Sequence, residues 1–225
     1  MKNRRIGLFG GTFDPVHAGH LTISCQAALE VQLDQVIFFP AVDPPHKKKP
    51  AAAYRHRVAM LEAALAGLPA AEADRFAVSL LEAELSVPSY TVDTLVELQR
   101  RVTTPSGCSF YFLIGADSLL ELHLWYQYQK LLRLTNFIVI SRPGIPFADM
   151  RQAIAALPGP FLPDSSGRLW TGTDGTELML LHNRLTEDIS SSGIRRQLQQ
   201  GRQPEGMPER VREYIAAQGL YPARG

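Results

Sequence analysis

The sequence predicts an α/β fold built around a doubly wound parallel sheet, and three observations predict it. Short apolar runs typical of strands alternate with longer stretches whose apolar residues recur at helical spacing. The run Phe110–Ile114 is continuously apolar, as expected for a strand that is buried on both faces of a parallel sheet. The chain ends in two predicted helices, so the expected architecture is Rossmann-like with a C-terminal helical extension.

The predicted elements follow from apolar periodicity and from the glycines and prolines that interrupt it. The predicted strands are Ile6–Phe9, Val36–Phe39, Phe76–Leu81, Phe110–Ile114, Phe137–Ile140 and Glu177–Leu181. The predicted helices are Leu21–Leu33, Tyr54–Leu68, Thr91–Arg101, Ser118–Arg133, Ser191–Gln200 and Pro208–Gln218. Between residues 143 and 175 the pattern is broken around one weak helix at Phe147–Leu157, which predicts a surface excursion. Gly219 follows the last helix, where glycine commonly ends one.

Composition bounds the class of protein. The 225 residues are 45% hydrophobic and 20% charged, which is typical of a globular protein. We expect one domain over residues 1–225, with an α/β core at 1–185 and C-terminal helices at 186–225. Lys and Arg number 23 against 22 Asp and Glu, so no overall charge favours a nucleic-acid or membrane partner. Two cysteines are too few for a disulfide scaffold, which favours a reducing cytoplasm.

The densest group of chemically informative residues lies between the first predicted strand and the first predicted helix. It reads Gly10-Gly11-Thr12-Phe13-Asp14-Pro15-Val16-His17-Ala18-Gly19-His20. Ligands of open α/β sheets bind beyond the carboxyl ends of the strands, which is where this segment falls. Glycines let backbone N–H groups approach an anion closely, and a following helix N-terminus favours negative charge. His17 and His20 are three residues apart, so both imidazoles can face the same anion.

Two other interpretations of this segment do not fit. It contains neither G-x-G-x-x-G nor G-x-x-x-x-G-K-[ST], which disfavours both the dinucleotide loop of dehydrogenases and the Walker phosphate loop. A zinc site needs three or four ligands, and no third Cys or His is placed to join His17 and His20. We therefore expect an anion-binding loop without a protein-bound metal.

A second segment with phosphate-binding chemistry follows the last predicted strand, Ile189-Ser190-Ser191-Ser192-Gly193-Ile194-Arg195. Together the two segments resemble the signatures of nucleotidyltransferases with a His-x-Gly-His motif, most specifically the bacterial nicotinate-nucleotide adenylyltransferase family. Further matching segments lie between them: Pro44-Pro45-His46-Lys47, Ser89-Tyr90-Thr91-Val92-Asp93-Thr94-Leu95, Gly115-Ala116-Asp117-Ser118, Trp125 and Arg142-Pro143-Gly144. Ser192 stands where the family usually has Thr, which keeps the hydroxyl.

The resemblance implies adenylyl transfer from ATP to nicotinate mononucleotide. It implies that His17 and His20 donate to the α- and β-phosphates, and that Ser191 and Arg195 hold the β- and γ-phosphates. The implied catalytic residues are His17, His20 and Arg195. The implied ATP-binding set is Gly10, Gly11, Thr12, Phe13, His17, His20, Gly115, Asp117, Ile189, Ser190, Ser191, Ser192 and Arg195. Mg²⁺ would be carried mainly by the ATP phosphates, since that ion keeps several waters and few protein ligands.

The resemblance also implies a site for the pyridine nucleotide. Its residues would be Thr12, His46, Lys47, Tyr90, Thr91 and Trp125. Trp125 would stack on the pyridine ring, and Tyr90 and Thr91 would meet the carboxylate largely through backbone N–H groups. Asp117 is open between an N-cap role and contact with the ribose of ATP. Lys47 belongs to a lysine run that is either a solvated face or a phosphate clamp.

Three alternatives stay open at this point. The acceptor could be nicotinamide mononucleotide, because nothing in composition or periodicity separates a carboxylate from an amide. Pantetheine-phosphate adenylyltransferase shares the histidine motif, although this chain is long for it and carries the Ser-Tyr-Thr-Val-Asp segment instead. A catalytically silent nucleotide-binding module is the third alternative, and the presence of both histidines and Arg195 disfavours it. The sequence leaves homo-oligomerisation open.

Overall fold

A computed structural model describes residues 3–44, 49–102, 107–183 and 189–223, and within them eight strands form one sheet. The strands are β1 (Arg4–Gly11), β2 (Gln35–Pro40), β3 (Phe76–Val78), β4 (Cys108–Gly115), β5 (Asn136–Ile140), β6 (Phe161–Pro163), β7 (Leu169–Gly172) and β8 (Glu177–Leu181). The α-helices are α1 (Ala18–Glu30), α2 (Tyr54–Leu65), α3 (Ala70–Ala73), α4 (Thr91–Arg101), α5 (Ala116–Leu120), α6 (Tyr128–Leu134), α7 (Phe147–Ala155), α8 (Ser191–Gln199) and α9 (Glu209–Gln218). No helix in these ranges is both long and apolar enough to span a membrane.

The strand order is β3-β2-β1-β4-β5-β8-β7-β6. All pairings from β3 to β8 are parallel, while β8, β7 and β6 pair antiparallel at one edge. The chain moves outward in one direction from β1 and in the other from β4, so the switch point of the doubly wound sheet lies between these two strands. The predicted doubly wound α/β fold is confirmed.

Alternate residues of the central strands enter two apolar clusters, one on each face of the sheet. In β4, Phe112 belongs to one cluster and Leu113 to the other. The first cluster is completed by helices α4 to α7, for example through Leu95. The second is completed by α1, α2 and α9, for example through Leu61 and Val211. The C-terminal extension is therefore packed into the core beside α2.

The structure corrects the sequence analysis between residues 143 and 175. Helix α7 is not a weak surface helix, because Met150 and Ile154 are completely buried in the first apolar cluster. Strands β6 and β7 form an antiparallel pair that extends the sheet beyond β8. The prolines and glycines here mark tight turns and an edge strand, where the missing N–H of proline is tolerated.

Several predicted boundaries also shift. Helix α1 begins at Ala18 rather than Leu21, so His17 becomes its N-cap residue. The predicted helix Ser118–Arg133 is broken, because Gln127 adopts a left-handed conformation with φ of 51° and α6 begins only after it. Gly219 ends α9 in the left-handed conformation, as predicted.

Candidate active site

A cavity of about 650 Å³ opens at the carboxyl ends of β1, β4 and β5, next to the switch point of the sheet. Its walls include all of the described residues to which the sequence analysis gives a binding role. They are Gly10, Gly11, Thr12, Phe13, His17, His20, Tyr90, Thr91, Gly115, Asp117, Trp125, Ile189, Ser190, Ser191, Ser192 and Arg195. His46 and Lys47 lie outside the residues that the structure describes. The fold thus brings both predicted phosphate motifs to one site.

The loop after β1 closes tightly over its own aromatic residue. Phe13 is fully buried with φ of 50°, and a Cβ on Gly11 would lie 2.9 Å from its ring. Glycine at position 11 is therefore required for this loop shape. Arg57, only 1% exposed, donates to the carbonyl oxygens of Thr12 at 2.8 Å and Val42 at 3.3 Å. The loop after β1 is thus held in place by a buried cation that the sequence analysis did not identify.

The two motif histidines stack on each other, with 3.8 Å between their ring centroids. His17 is 6% exposed, and burial, followed by the positive charge of Arg142, lowers its pKa from 6.5 to about 4. It is therefore a neutral imidazole at pH 7. The His17 amide donates to Nδ1 of His20 at 3.3 Å, which places the proton of a neutral His20 ring on Nε2. Both rings can act as hydrogen-bond donors without a permanent charge.

The second motif contacts the first directly. Ser190 is the N-cap of α8, and its hydroxyl accepts a hydrogen bond from the amide of Gly193 at 3.2 Å. The Ser191 hydroxyl donates to the carbonyl oxygen of Pro15 at 2.9 Å. The Arg195 guanidinium donates to the carbonyl oxygen of Asp14, and its Nη1 lies 3.6 Å from the Asp14 carboxylate. Residues about 180 positions apart in sequence thus form one continuous wall of the cavity.

Three helices of nine or more residues point their N-termini at the cavity: α1 at His17, α4 at Tyr90 and α8 at Ser190. The first N–H groups of a helix lack intrahelical acceptors, and its N-terminus carries a partial positive charge. Thr12 Oγ1 is buried in the cavity wall with no hydrogen-bond partner among the described residues. Buried polar atoms are nearly always satisfied, which is consistent with a polar ligand at this wall. The helix termini make an anion the favoured ligand.

Asp117 is not the N-cap of α5, which was one of the two roles that the sequence analysis left open. The N-cap of α5 is Gly115, and Asp117 lies in the first turn with its carboxylate 2.9 Å from Nε of Arg142. A Cβ on Gly115 would lie 2.3 Å from Asp117 Oδ1, so a larger residue at position 115 would displace this carboxylate. The N-cap alternative is wrong, and ribose contact stays a prediction. The sequence analysis gave Arg142 no separate role, although it lines the cavity.

The opposite side of the cavity is aromatic. Trp125 is half-buried and packs edge-on against Phe112, with 6.3 Å between centroids. Tyr90 stacks with Tyr126 at 4.4 Å, and Tyr126 is an exposed residue that the sequence analysis did not single out. Thr91 is the first residue of α4, and the side chain of the N-cap residue Tyr90 makes no capping hydrogen bond to the helix. This side offers flat apolar surface beside unpaired helix amides.

A buried polar network supports the loop after β1, and the sequence analysis missed most of this network. The Asp14 carboxylate is 3% exposed and accepts hydrogen bonds from the amides of Ala51 at 2.7 Å and Ala52 at 3.0 Å. It also accepts one from the hydroxyl of Tyr221 at 2.7 Å. Asp14 lies within the segment Gly10–His20, and this position was the only sequence signal that could have pointed to it. Its partners come from distant segments and carry no local pattern.

Comparison with known proteins agrees with this geometry. Residues 8–197 match the family described as cytidylyltransferase-like. A protein of Trichlorobacter lovleyi named "Probable nicotinate-nucleotide adenylyltransferase" is 36% identical over 220 residues, which cover 96% of this chain and 99% of that protein. A Neisseria gonorrhoeae protein of the same name is 38% identical over 218 residues, with 97% and 98% coverage. The chain therefore belongs to the cytidylyltransferase-like class of nucleotidyltransferases.

Within that class the relatives that match over nearly the full chain define a narrower group. This chain belongs to the nicotinate-nucleotide adenylyltransferase family. The structure of Plasmodium falciparum nicotinic acid mononucleotide adenylyltransferase complexed with NaAD has the same fold, with a TM-score of 0.71. Its identity is 17%, and the match covers 97% of this chain and 98% of that one. At that identity the likeness supports the fold alone.

Proposed function

We propose that this protein transfers the adenylyl group of ATP to nicotinate mononucleotide, forming nicotinate adenine dinucleotide and pyrophosphate in NAD biosynthesis. The observation that carries the proposal is the meeting of two phosphate motifs, three helix N-termini and Arg195 at one cavity. ATP and the mononucleotide are both polyanions, which this environment favours. The names of the full-length relatives support the choice of acceptor.

The proposed reaction needs no protein nucleophile. A phosphate oxygen of the mononucleotide attacks the α-phosphorus of ATP, and the bond from that phosphorus to the pyrophosphate oxygen breaks. A phosphate monoester with a second pKa of about 6 is mostly ionised at neutral pH, so no general base is required. The work left to the protein is orientation of two anions and stabilisation of charge on the transferring group.

The proposed roles on the ATP side follow from the donors present. The neutral His17 ring and the His20 ring donate to the α- and β-phosphates, and the helix N-termini beside them add positive potential. Arg195 and Ser191 hold the β- and γ-phosphates as the pyrophosphate leaves. Gly10 to Phe13 line the phosphate path, and Asp117 contacts the ribose.

The proposed roles on the acceptor side depend more on the backbone than on side chains. The amides at the start of α4, beside Tyr90 and Thr91, bind the pyridine carboxylate, as helix N-termini bind anions elsewhere. The half-buried ring of Trp125 stacks on the pyridine. Thr12 contributes its unpartnered hydroxyl to the mononucleotide phosphate.

Mg²⁺ enters this proposal with ATP. Among the described residues no group of three His, Cys, Asp or Glu is placed to hold a metal ion. The Asp14 carboxylate, which lies in the cavity wall, is already engaged by two amides, Tyr221 and Arg195. The ion would therefore be held by phosphate oxygens and water, and it would supply neutralisation of phosphate charge.

The compartment that we propose is a reducing cytoplasm. Cys25 and Cys108 are both free thiols, and burial, followed by the nearby Glu72 carboxylate, raises the pKa of Cys25 to about 11. A thiol with so high a pKa is a poor nucleophile and metal ligand, which fits a structural role.

Labelled ATP tests the chemistry directly. With nicotinate mononucleotide present, label at the α-phosphorus should appear in the dinucleotide, and label at the γ-phosphorus should appear in pyrophosphate. Label from the γ-position in inorganic phosphate would instead indicate hydrolysis, and the same label on the acceptor would indicate phosphoryl transfer. Binding of ATP with no transfer to any acceptor would leave the silent nucleotide-binding module as the better account.

A further inference from the structure

The C-terminal segment after α9 returns to the phosphate loop. Tyr221 is buried, with 6% of its surface exposed, and its hydroxyl donates to Oδ1 of Asp14 at 2.7 Å. The two residues are 207 positions apart in sequence. Burial, followed by the hydrogen bond to Asp14, raises the pKa of Tyr221 above its ordinary value, so the phenol stays protonated and remains a donor.

Asp14 connects this hydroxyl to the second phosphate motif. Arg195 contacts Asp14 twice, through the backbone carbonyl and through carboxylate Oδ2 at 3.6 Å. Oδ2 also accepts from the Ala51 amide, and Oδ1 accepts from both the Ala52 amide and Tyr221. The carboxylate is therefore one of the two Asp14 groups that set the position of the Arg195 guanidinium.

A carboxylate that is 3% exposed depends on every donor it has. Removal of one donor from a buried charged acceptor is costly, and the carboxylate then turns toward its remaining partners. Of the two arginines that face the carboxylate, Arg57 is buried and held by three backbone carbonyls, whereas the Arg195 side chain is 29% exposed and faces the cavity. Loss of the phenol would draw Arg195 toward Asp14 and away from the ligand.

We propose that Tyr221 is a positioning residue for the triphosphate site: through Asp14 it holds the Arg195 guanidinium in the orientation that binds ATP. The proposal rests on the proposed function insofar as the ligand is ATP. It assigns the C-terminal segment a role in the site besides packing against the core. No residue from this segment appears in either phosphate motif.

The test compares Tyr221→Phe with Tyr214→Phe. Tyr214 lies on α9, and its hydroxyl contacts Nδ1 of His56 at 3.0 Å outside the cavity, so this control also removes one interhelical hydrogen bond. In Tyr221→Phe we expect the Kd for Mg-ATP, measured by titration calorimetry, to rise about tenfold, as for a lost hydrogen bond to a charged group. In Tyr214→Phe the Kd should stay within about twofold of the parent value. Equal Kd values in the two variants would overturn the proposal.

A double-mutant cycle separates positioning from plain loss of stability. In an Arg195→Lys background, which loses the forked guanidinium, Tyr221→Phe should weaken Mg-ATP binding by less than about twofold. A further tenfold loss in that background would show that Tyr221 acts independently of Arg195, and the proposal would be wrong. Thermal unfolding of each variant shows whether the fold is retained, and Tyr221→Leu provides a second replacement without a hydrogen-bond donor should Tyr221→Phe unfold.

The readout also distinguishes this proposal from the proposed function. Calorimetry with Mg-ATP alone requires no acceptor and no turnover, so it tests Tyr221 even if the protein transfers nothing to nicotinate mononucleotide. Steady-state assays add a second measure: kcat/KM for ATP should fall about tenfold in Tyr221→Phe, while KM for the mononucleotide stays within about twofold. A change confined to the mononucleotide would contradict the assignment to Arg195.

Discussion

The two sides of the cavity are built differently. The phosphate side is rigid: Arg57 and Tyr221 fix the loop after β1 from beneath, and Asp14 joins that loop to Arg195. The side proposed to bind the pyridine has one helix N-terminus at Tyr90 and partly exposed aromatic rings. From this contrast we propose that preorganised side chains recognise ATP, whereas backbone amides and stacking recognise the acceptor.

The largest effect on activity is expected from replacement of a motif histidine. Replacement of His20 by Ala should lower kcat by about a hundredfold or more, the effect typical of removing one preorganised donor. The matched control is His123→Ala, an exposed histidine outside the cavity wall, which should leave kcat within about twofold. Steady-state kinetics with saturating ATP and nicotinate mononucleotide provides the measurement. Near-parental turnover in His20→Ala would remove this imidazole from the mechanism.

The buried state of His17 should appear in the pH dependence of stability. Its pKa is lowered from 6.5 to about 4 in the folded protein, chiefly by burial. Between these two values the unfolded chain binds more protons than the folded one, so stability rises with pH and is lost as pH falls. From about pH 7.5 to about pH 5, this residue should cost about 2 kcal/mol of unfolding free energy.

The check is urea unfolding at both pH values, with His17→Asn as the comparison. The amide does not titrate, so the loss of stability on acidification should be smaller in this variant by about 2 kcal/mol. An identical pH dependence in both proteins would mean that His17 is not buried as a neutral ring.

The proposed pyridine site can be tested through its largest aromatic residue, Trp125. Trp125→Ala should raise KM for nicotinate mononucleotide about tenfold, since stacking on an aromatic residue contributes about 1–3 kcal/mol per base. The KM for ATP should change by less than about twofold. Leu124→Ala is the neighbouring control, because that side chain is exposed and lies outside the cavity wall. A shift confined to ATP would place Trp125 in the wrong half of the site.

The smallest effect is expected where the backbone is proposed to bind the ligand. Thr91→Ala keeps the amides at the start of α4 and should change KM for nicotinate mononucleotide by less than about threefold. Steady-state assays of the parent protein and of this variant, run in parallel over the same range of nicotinate mononucleotide concentrations, can measure so small a difference in KM. A tenfold rise would show that the hydroxyl, rather than the backbone, binds the acceptor.

Sequence reasoning succeeded where the structure depends on a local pattern. The buried β4 run, the turn after β1 and the serines at the start of α8 each carry their signal within a few residues. It failed for the segment from α7 to β7, where turn residues concealed elements that pack into the core and extend the sheet. It also could not find the contact between Tyr221 and Asp14, because no periodicity connects residues 207 positions apart. Such tertiary partners become visible only once the chain is folded.

The comparison of acceptors tests the central claim most directly. Pyrophosphate release from Mg-ATP would be followed with nicotinate mononucleotide and nicotinamide mononucleotide in parallel. A site whose backbone N–H groups bind a carboxylate should favour nicotinate mononucleotide in kcat/KM by about a hundredfold or more. The carboxamide of nicotinamide mononucleotide has an NH₂ group in place of one carboxylate oxygen, and this group cannot accept a hydrogen bond from those donors. Comparable kcat/KM values for the two acceptors would contradict the proposed carboxylate site at the N-terminus of α4.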